Sequence, residues 1–153
     1  MAVDSAITSV ISNLDSILSL KVEQRTALKA FLCGKDVFAL LPTGFGKSLI
    51  YQIAPLVAKE LGTKPNPIVI VVSPLVALVE DQIKEATKLG LNAKQLGDSA
   101  AHTDIIHGRC DLVFGSPESW LTNDKWRDML GSKVYRENLL GIVVDEVHVV
   151  YKW

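Results

Sequence analysis

Apolar residues recur at helical spacing from the start of the chain. Val3, Ile7, Val10, Ile11, Leu14, Ile17 and Leu18 share one face of a 3.6-residue repeat, which predicts an amphipathic helix over residues 3–18. A second helix is predicted over Gln24–Leu32, closed by Gly34. The period then changes. Val37–Leu41, Ile68–Val72, Asp111–Phe114 and Leu139–Val144 are short, mostly apolar runs of strand length, and Ala93–Leu96 reads as a further short strand. Helical stretches are predicted between them: Lys47 to about Leu61, a segment opened by Ser73-Pro74 and closed at Gly90, Ala100–His107, and a second Ser-Pro start at Ser116-Pro117 leading to a helical stretch around Lys125–Leu130. Thr63–Pro67 reads as a loop. Strands alternating with helices imply an α/β fold, a mostly parallel sheet with helices on both faces and right-handed crossovers.

Composition narrows this picture without redirecting it. A chain of 153 residues with 48% hydrophobic and 22% charged residues is one globular domain with room for a core. The net charge of −1 excludes a global basic field, though not a local basic groove. Cys33 and Cys110 are far apart and lack metal-ligand spacing, so both are expected to be free thiols in a reducing, intracellular compartment. No secretion signal is visible, and no apolar run is long enough to span a bilayer, so no membrane partner is expected.

The chemistry is concentrated in two places. Pro42-Thr43-Gly44-Phe45-Gly46-Lys47-Ser48 joins a predicted strand to a predicted helix, which is the layout of a phosphate-binding loop. Thr43, Gly44, Phe45 and Gly46 would turn backbone N–H groups onto triphosphate oxygens, helped by the positive end of the helix that follows. Lys47 would reach the β- and γ-phosphates, and Ser48 would ligate magnesium. The apolar run Leu139–Val144 ends in Asp145-Glu146-Val147-His148, where open α/β sheets place their ligands. Asp145 is the second expected magnesium ligand, and Glu146 the expected general base toward the attacking water.

A nucleic-acid face has its own physical rationale. Ser73 and Ser116 each open a predicted helix whose free N–H groups can bind phosphate oxygens, although simple helix capping explains both serines as well. Trp153 can stack on a base and Lys152 can neutralise a phosphate. Other residues take plainer roles. His102 and His107 are expected at the surface, Trp120 and Trp126 in the core or at its rim, and Lys84, Glu85 and Lys88 on a solvated helix face.

In this order the motifs resemble those of superfamily-two helicases, and most closely the RecQ-like DNA helicases. Leu20-Lys21-Val22-Glu23-Gln24 is similar to their adenine-reading motif, which implies nucleotide contacts from Lys21 and Gln24. The phosphate loop with Tyr51-Gln52, the stretch Ser73-Pro74-Leu75 through Gln82, and Gly115-Ser116-Pro117-Glu118 match the motifs that follow. The resemblance implies that Ser73, Pro74, Leu75, Gln82 and Ser116 lie against DNA. It also implies that His148 couples the nucleotide site to a second domain and that Trp153 begins an aromatic loop sensing single strands. Leu41 and Phe45 stand where glycine is common, and Val147 where alanine is usual. The implied fold is a RecA-like domain over residues 20–153, preceded by an N-terminal helix within residues 1–19. The implied activity is 3'-5' unwinding of single-stranded or partly duplex DNA with ATP and Mg2+, in the nucleus if the source is eukaryotic. The second RecA-like domain, with its arginine finger, does not follow Trp153, so a weak ATPase is expected from this chain alone. The rival expectation is an inactive fragment that binds only nucleotide, DNA or protein.

Overall fold

The computed structural model describes residues 3–14, 20–32, 47–73, 76–97, 99–122 and 124–144. The expected strand Val37–Leu41 and the candidate residues Thr43, Gly44, Phe45, Gly46, Pro74, Leu75, Asp145, Glu146, His148, Lys152 and Trp153 lie outside the described residues.

The elements run α1 (Val3–Ser12), α2 (Val22–Leu32), α3 (Lys47–Leu61), β1 (Ile68–Val72), α4 (Val76–Lys88) and β2 (Ala93–Gln95). A 3-10 turn (Ser99–Ala101) leads into α5 (His102–Ile106), then β3 (Leu112–Gly115), α6 (Pro117–Thr122), α7 (Asp124–Leu130), α8 (Lys133–Asn138) and β4 (Leu139–Val144). The four described strands form one sheet in the order β2-β3-β1-β4, with every pairing parallel. The α/β class and parallel sheet are therefore as the alternation of elements predicts.

Register and period two build the two faces. Val69 pairs with Leu112 and Val71 with Phe114. These four point into a core shared with Ala6, Ile7, Val10 and Ile11 of α1, Leu28 of α2, Ile53, Ala54 and Val57 of α3, and Val79 and Ala86 of α4. Ile68, Ile70 and Val113 point the other way, onto Ala101, Ile105, Trp120, Trp126, Met129 and Tyr135. Both tryptophans are thus core residues, as expected. Cys110 is buried beside Tyr135, and burial pushes its thiol up to about 12, so the reactive thiolate is suppressed.

Several boundaries differ from the sequence reading, each for a local reason. Helix α1 stops at Ser12 rather than Leu18: Asn13 and Leu14 donate to the carbonyls of Val10 and Ile11, which tightens the last turn into 3-10 geometry. Strand β3 begins one residue late because Asp111 is used as an anchor. Its carboxylate takes Lys59 Nζ and the Asn92 N–H, each at 2.8 Å. Helix α3 passes through Pro55, where burial of its neighbours outweighs a missing hydrogen bond. β4 is not buried on both faces as its apolar run suggests; it ends the described sheet, and Ile142 is 52% exposed.

Gly115 ends β3 where no side chain fits. A Cβ there would lie 2.5 Å from Trp120 Nε1 and 2.7 Å from Leu96 Cδ1. Gly115→Ala should therefore cost about 1–3 kcal/mol through overpacking, read as a lower urea midpoint at unchanged slope. An unchanged midpoint would show that the Trp120 ring yields freely.

Candidate active site

Helix α3 runs against the strands. Its last turn is pinned near the start of β3 by the Lys59–Asp111 ion pair, and the loop after it enters β1. Its 15 residues span about 22 Å, so its first turn, Lys47-Ser48, points toward the C-terminal edge of the sheet. Ser73 and Ser116 follow β1 and β3 at that same edge, and the Ser73 N–H donates to the Gly115 carbonyl at 3.0 Å. Val144 pairs with Val72 there, so Asp145 and Glu146 follow in sequence from this edge. The edge therefore carries the start of the phosphate-loop helix and both serine motifs, with the acid box next in the chain.

The two serines differ in what they do. Ser116 is a true cap: its Oγ accepts the Ser119 N–H at 3.2 Å, and Pro117 takes the first helical position. Ser73 extends the β1–β3 ladder and is 1% exposed; the two residues that would open a helix directly after it, Pro74 and Leu75, lie outside the described residues. Gln82 sits half-buried in the second turn of α4.

Gln24 has a structural role that its motif does not announce. It is the third residue of α2, and its Oε1 accepts the Lys21 N–H at 2.8 Å, the reciprocal half of a capping box. This bond starts the helix two residues earlier than predicted and holds the amide, which is only 4% exposed. Lys21 itself is exposed. Helix α2 lies along α3 and reaches β4, where Phe31 covers Gly141. From the far side α1 braces α2 through Asp4, which meets Arg25 at 3.2 Å and Lys29 at 2.9 Å. The hydrogen bond from Lys29, aided by Arg25, holds the Asp4 carboxyl below the usual carboxylate range.

His102 is tied to α7: Lys125 Nζ lies 2.9 Å from its Nδ1, and its ring meets Trp126 edge-on. His107 is exposed, as are Lys84, Glu85 and Lys88. Glu85, however, is not only solvated, because Gln52 of α3 reaches it. The resemblance placed Tyr51-Gln52 with the phosphate loop without giving Gln52 a partner; the contact to Glu85 is what the fold adds.

Among the described residues no helix is long and apolar enough to cross a membrane. The solved UvsW helicase from bacteriophage T4 superposes with a TM-score of 0.57 over 95% of this chain and 61% of that one, at 14% identity, which shows a shared RecA-like α/β fold. The ATP-dependent helicase SGS1 of Saccharomyces cerevisiae is 37% identical over 138 residues, covering 85% of this chain and 9% of that protein. The ATP-dependent DNA helicase RecQ of Haemophilus influenzae is 30% identical over 152 residues, covering 95% of this chain and 23% of that protein. The RecQ-like DNA helicase BLM of Xenopus laevis is 32% identical over 142 residues, covering 87% of this chain and 10% of that protein. The chain thus spans less than a quarter of the length of these relatives. Residues 21–153 match the DEAD/DEAH box helicase family, and the chain belongs to that family, with RecQ-type helicases as its relatives.

Proposed function

We propose that this chain is the ATP-binding RecA-like half of a RecQ-like, 3'-5' DNA helicase motor, binding Mg–ATP and single-stranded DNA and needing a second RecA-like domain for full hydrolysis and unwinding. The observation that supports it best is the convergence at one sheet edge of the α3 N-terminus, Ser73, Ser116 and the end of β4.

In this reading the residues divide the work. Backbone N–H groups of residues 43–46 and the start of α3 hold the phosphates, and Lys47 offsets their charge. The hydroxyl of Ser48 and the carboxylate of Asp145 are hard oxygen donors, which suits magnesium, an ion that keeps its remaining positions for water and phosphate oxygens. That ion, when bound, neutralises charge on the phosphates. Glu146 takes a proton from the attacking water, and His148 passes the state of the site to the second domain. DNA is held by its backbone at the Ser73–Leu75 segment, Gln82, Ser116 and Lys152, with Trp153 stacking on a base. Such contacts position a strand without reading its sequence.

Adenine recognition gives a direct test because the proposed contact and the observed one would use different atoms of Gln24. Its oxygen starts α2, while reading adenine also needs its N–H as donor to the ring N7. Gln24→Glu keeps an acceptor for the Lys21 N–H and places an acid favourably in the first turn, so α2 should hold. The donor is lost. ATP affinity should fall about tenfold and the preference for ATP over GTP should disappear, with the melting temperature unchanged or raised. A retained ATP preference would refute the adenine assignment. Failure of the parent chain to bind any nucleotide would favour the inactive-fragment reading.

A further inference from the structure

We infer that Asp4 of α1 is a positioning residue for base recognition: by holding Arg25 and Lys29 it fixes the roll of α2, and with it the amide of Gln24. The inference rests on the adenine role proposed for Gln24.

Helix α1 lies before residues 21–153, the stretch that matches the helicase family, so its contacts are additions to the matched motifs. It is itself firmly seated. Ala6, Ile7, Val10 and Ile11 are buried, its backbone runs close along α3, and Ser9 Oγ donates to Glu60 Oε1 of α3 at 3.3 Å. Helix α2 is less firmly keyed. Its buried residues are Gln24, Ala27 and Leu28, one of them polar and one small, and Phe31 and Leu32 are only partly covered. Apolar contact of this kind resists separation more than rotation, because burial is non-directional.

Asp4 supplies the direction. Its Oδ1 accepts from an Arg25 guanidinium nitrogen at 3.2 Å, and its Oδ2 accepts from Lys29 Nζ at 2.9 Å. Arg25 and Lys29 stand one turn apart on the same face of α2, so one carboxylate grips the helix at two points along its axis. Arg25 is next in sequence to Gln24. A helix with its side chains has a radius of roughly 5–6 Å, so a roll of about 10° moves an amide at its surface by about 1 Å. A displacement of that size is enough to break a hydrogen bond to a base. Both ion pairs are exposed, with the Asp4 side chain 57% accessible, and such pairs add little to global stability. What they provide is orientation, which experiment can separate from folding.

The test measures Kd for Mg–ATP, Mg–GTP and tripolyphosphate on the whole chain, for the wild type, Asp4→Asn, Asp4→Glu, Lys29→Met and the double variant of Asp4→Asn with Lys29→Met. The wild type should prefer ATP over GTP. Asp4→Asn keeps the size of the side chain and loses its charge, so the preference should fall about fivefold. Tripolyphosphate has no base and should bind within about twofold of the wild type, and the melting temperature should move by less than about 4 °C. Lys29→Met leaves the Arg25 contact in place and should lower the preference less, and the double variant should add little to Asp4→Asn alone. Asp4→Glu keeps the carboxylate and should restore most of the preference. A preference unchanged in Asp4→Asn overturns the inference. So does equal weakening of all three ligands, which marks a general loss of structure. Lys29 is partly exposed and outside the core, so its variant supplies the same comparison if Asp4→Asn does not fold. A wild type without an ATP preference overturns instead the adenine role beneath the inference, and the positioning role of Asp4 falls with it.

Discussion

Glu146→Gln should reduce ATP hydrolysis by about 100- to 10,000-fold while leaving ATP affinity within about twofold of the wild type. The assignment follows from the position of the residue in the chain. The described part of β4 reaches Val144, level with Val72 at the edge of the sheet where the proposed reading places the nucleotide, and the acids come next in sequence. Glutamine keeps the size of glutamate and its ability to orient a water, but it cannot take the proton. In the proposed reading, binding depends on the phosphate loop and Gln24, which the change does not touch. Measurement calls for single-turnover hydrolysis with a second RecA-like domain and DNA supplied, alongside a direct nucleotide titration. If the variant lost nucleotide but hydrolysed each bound ATP at the normal rate, Glu146 would be a binding residue and the base would lie elsewhere.

The fold was legible wherever local pattern and burial agree. Ile68–Val72 is apolar throughout and nearly all buried, so β1 stands where the run predicts it. Leu139–Val144 reads the same way in one dimension, yet Ile142 is 52% exposed, because a run of apolar residues cannot say which of them will be covered by a packed layer. Helix α8 had no sequence signal: it is short, and its anchor is the buried Tyr135, whose hydroxyl donates to the Ile105 carbonyl from another part of the chain. Of the two Ser-Pro starts, Ser116 caps its helix by accepting the N–H of Ser119, and Ser73 joins the ladder through its N–H to Gly115, with Pro74 and Leu75 outside the described residues.

The site was legible as motifs, less so as side-chain duties. Gln24 carries a recognisable sequence environment, but that environment says nothing of its bond to Lys21, which needs the first turn of α2 to exist. Gln52 belongs to a matched motif, yet that motif does not announce its partner, which lies 33 residues away on α4. The burial of Ser73 also changes how the DNA face should be read. With Ser73 1% exposed and its N–H bonded to Gly115, the residue offers a nucleic-acid strand little surface of its own.

Lys47→Ala should weaken Mg–ATP binding by about 10- to 100-fold without changing the unfolding midpoint by more than about 1 kcal/mol. Lys47 opens α3, where the apolar positions that hold the helix in place, Ile53, Ala54 and Val57, lie further along. Alanine is the best helix former, so the helix itself loses nothing from the change. What is removed is one charge-assisted contact to the phosphates, worth about 1.5–3 kcal/mol in such settings. The backbone donors of the loop and the helix end remain, which is why binding should be weakened rather than abolished. ADP lacks the γ-phosphate that the proposed reading also assigns to Lys47, so it should lose less than ATP. Calorimetric titration of both nucleotides against both proteins, with urea melts of each, decides the matter. Equal ATP affinity in the two proteins would remove the phosphate-loop assignment. A parallel collapse of stability would show that Lys47 holds the fold rather than the nucleotide.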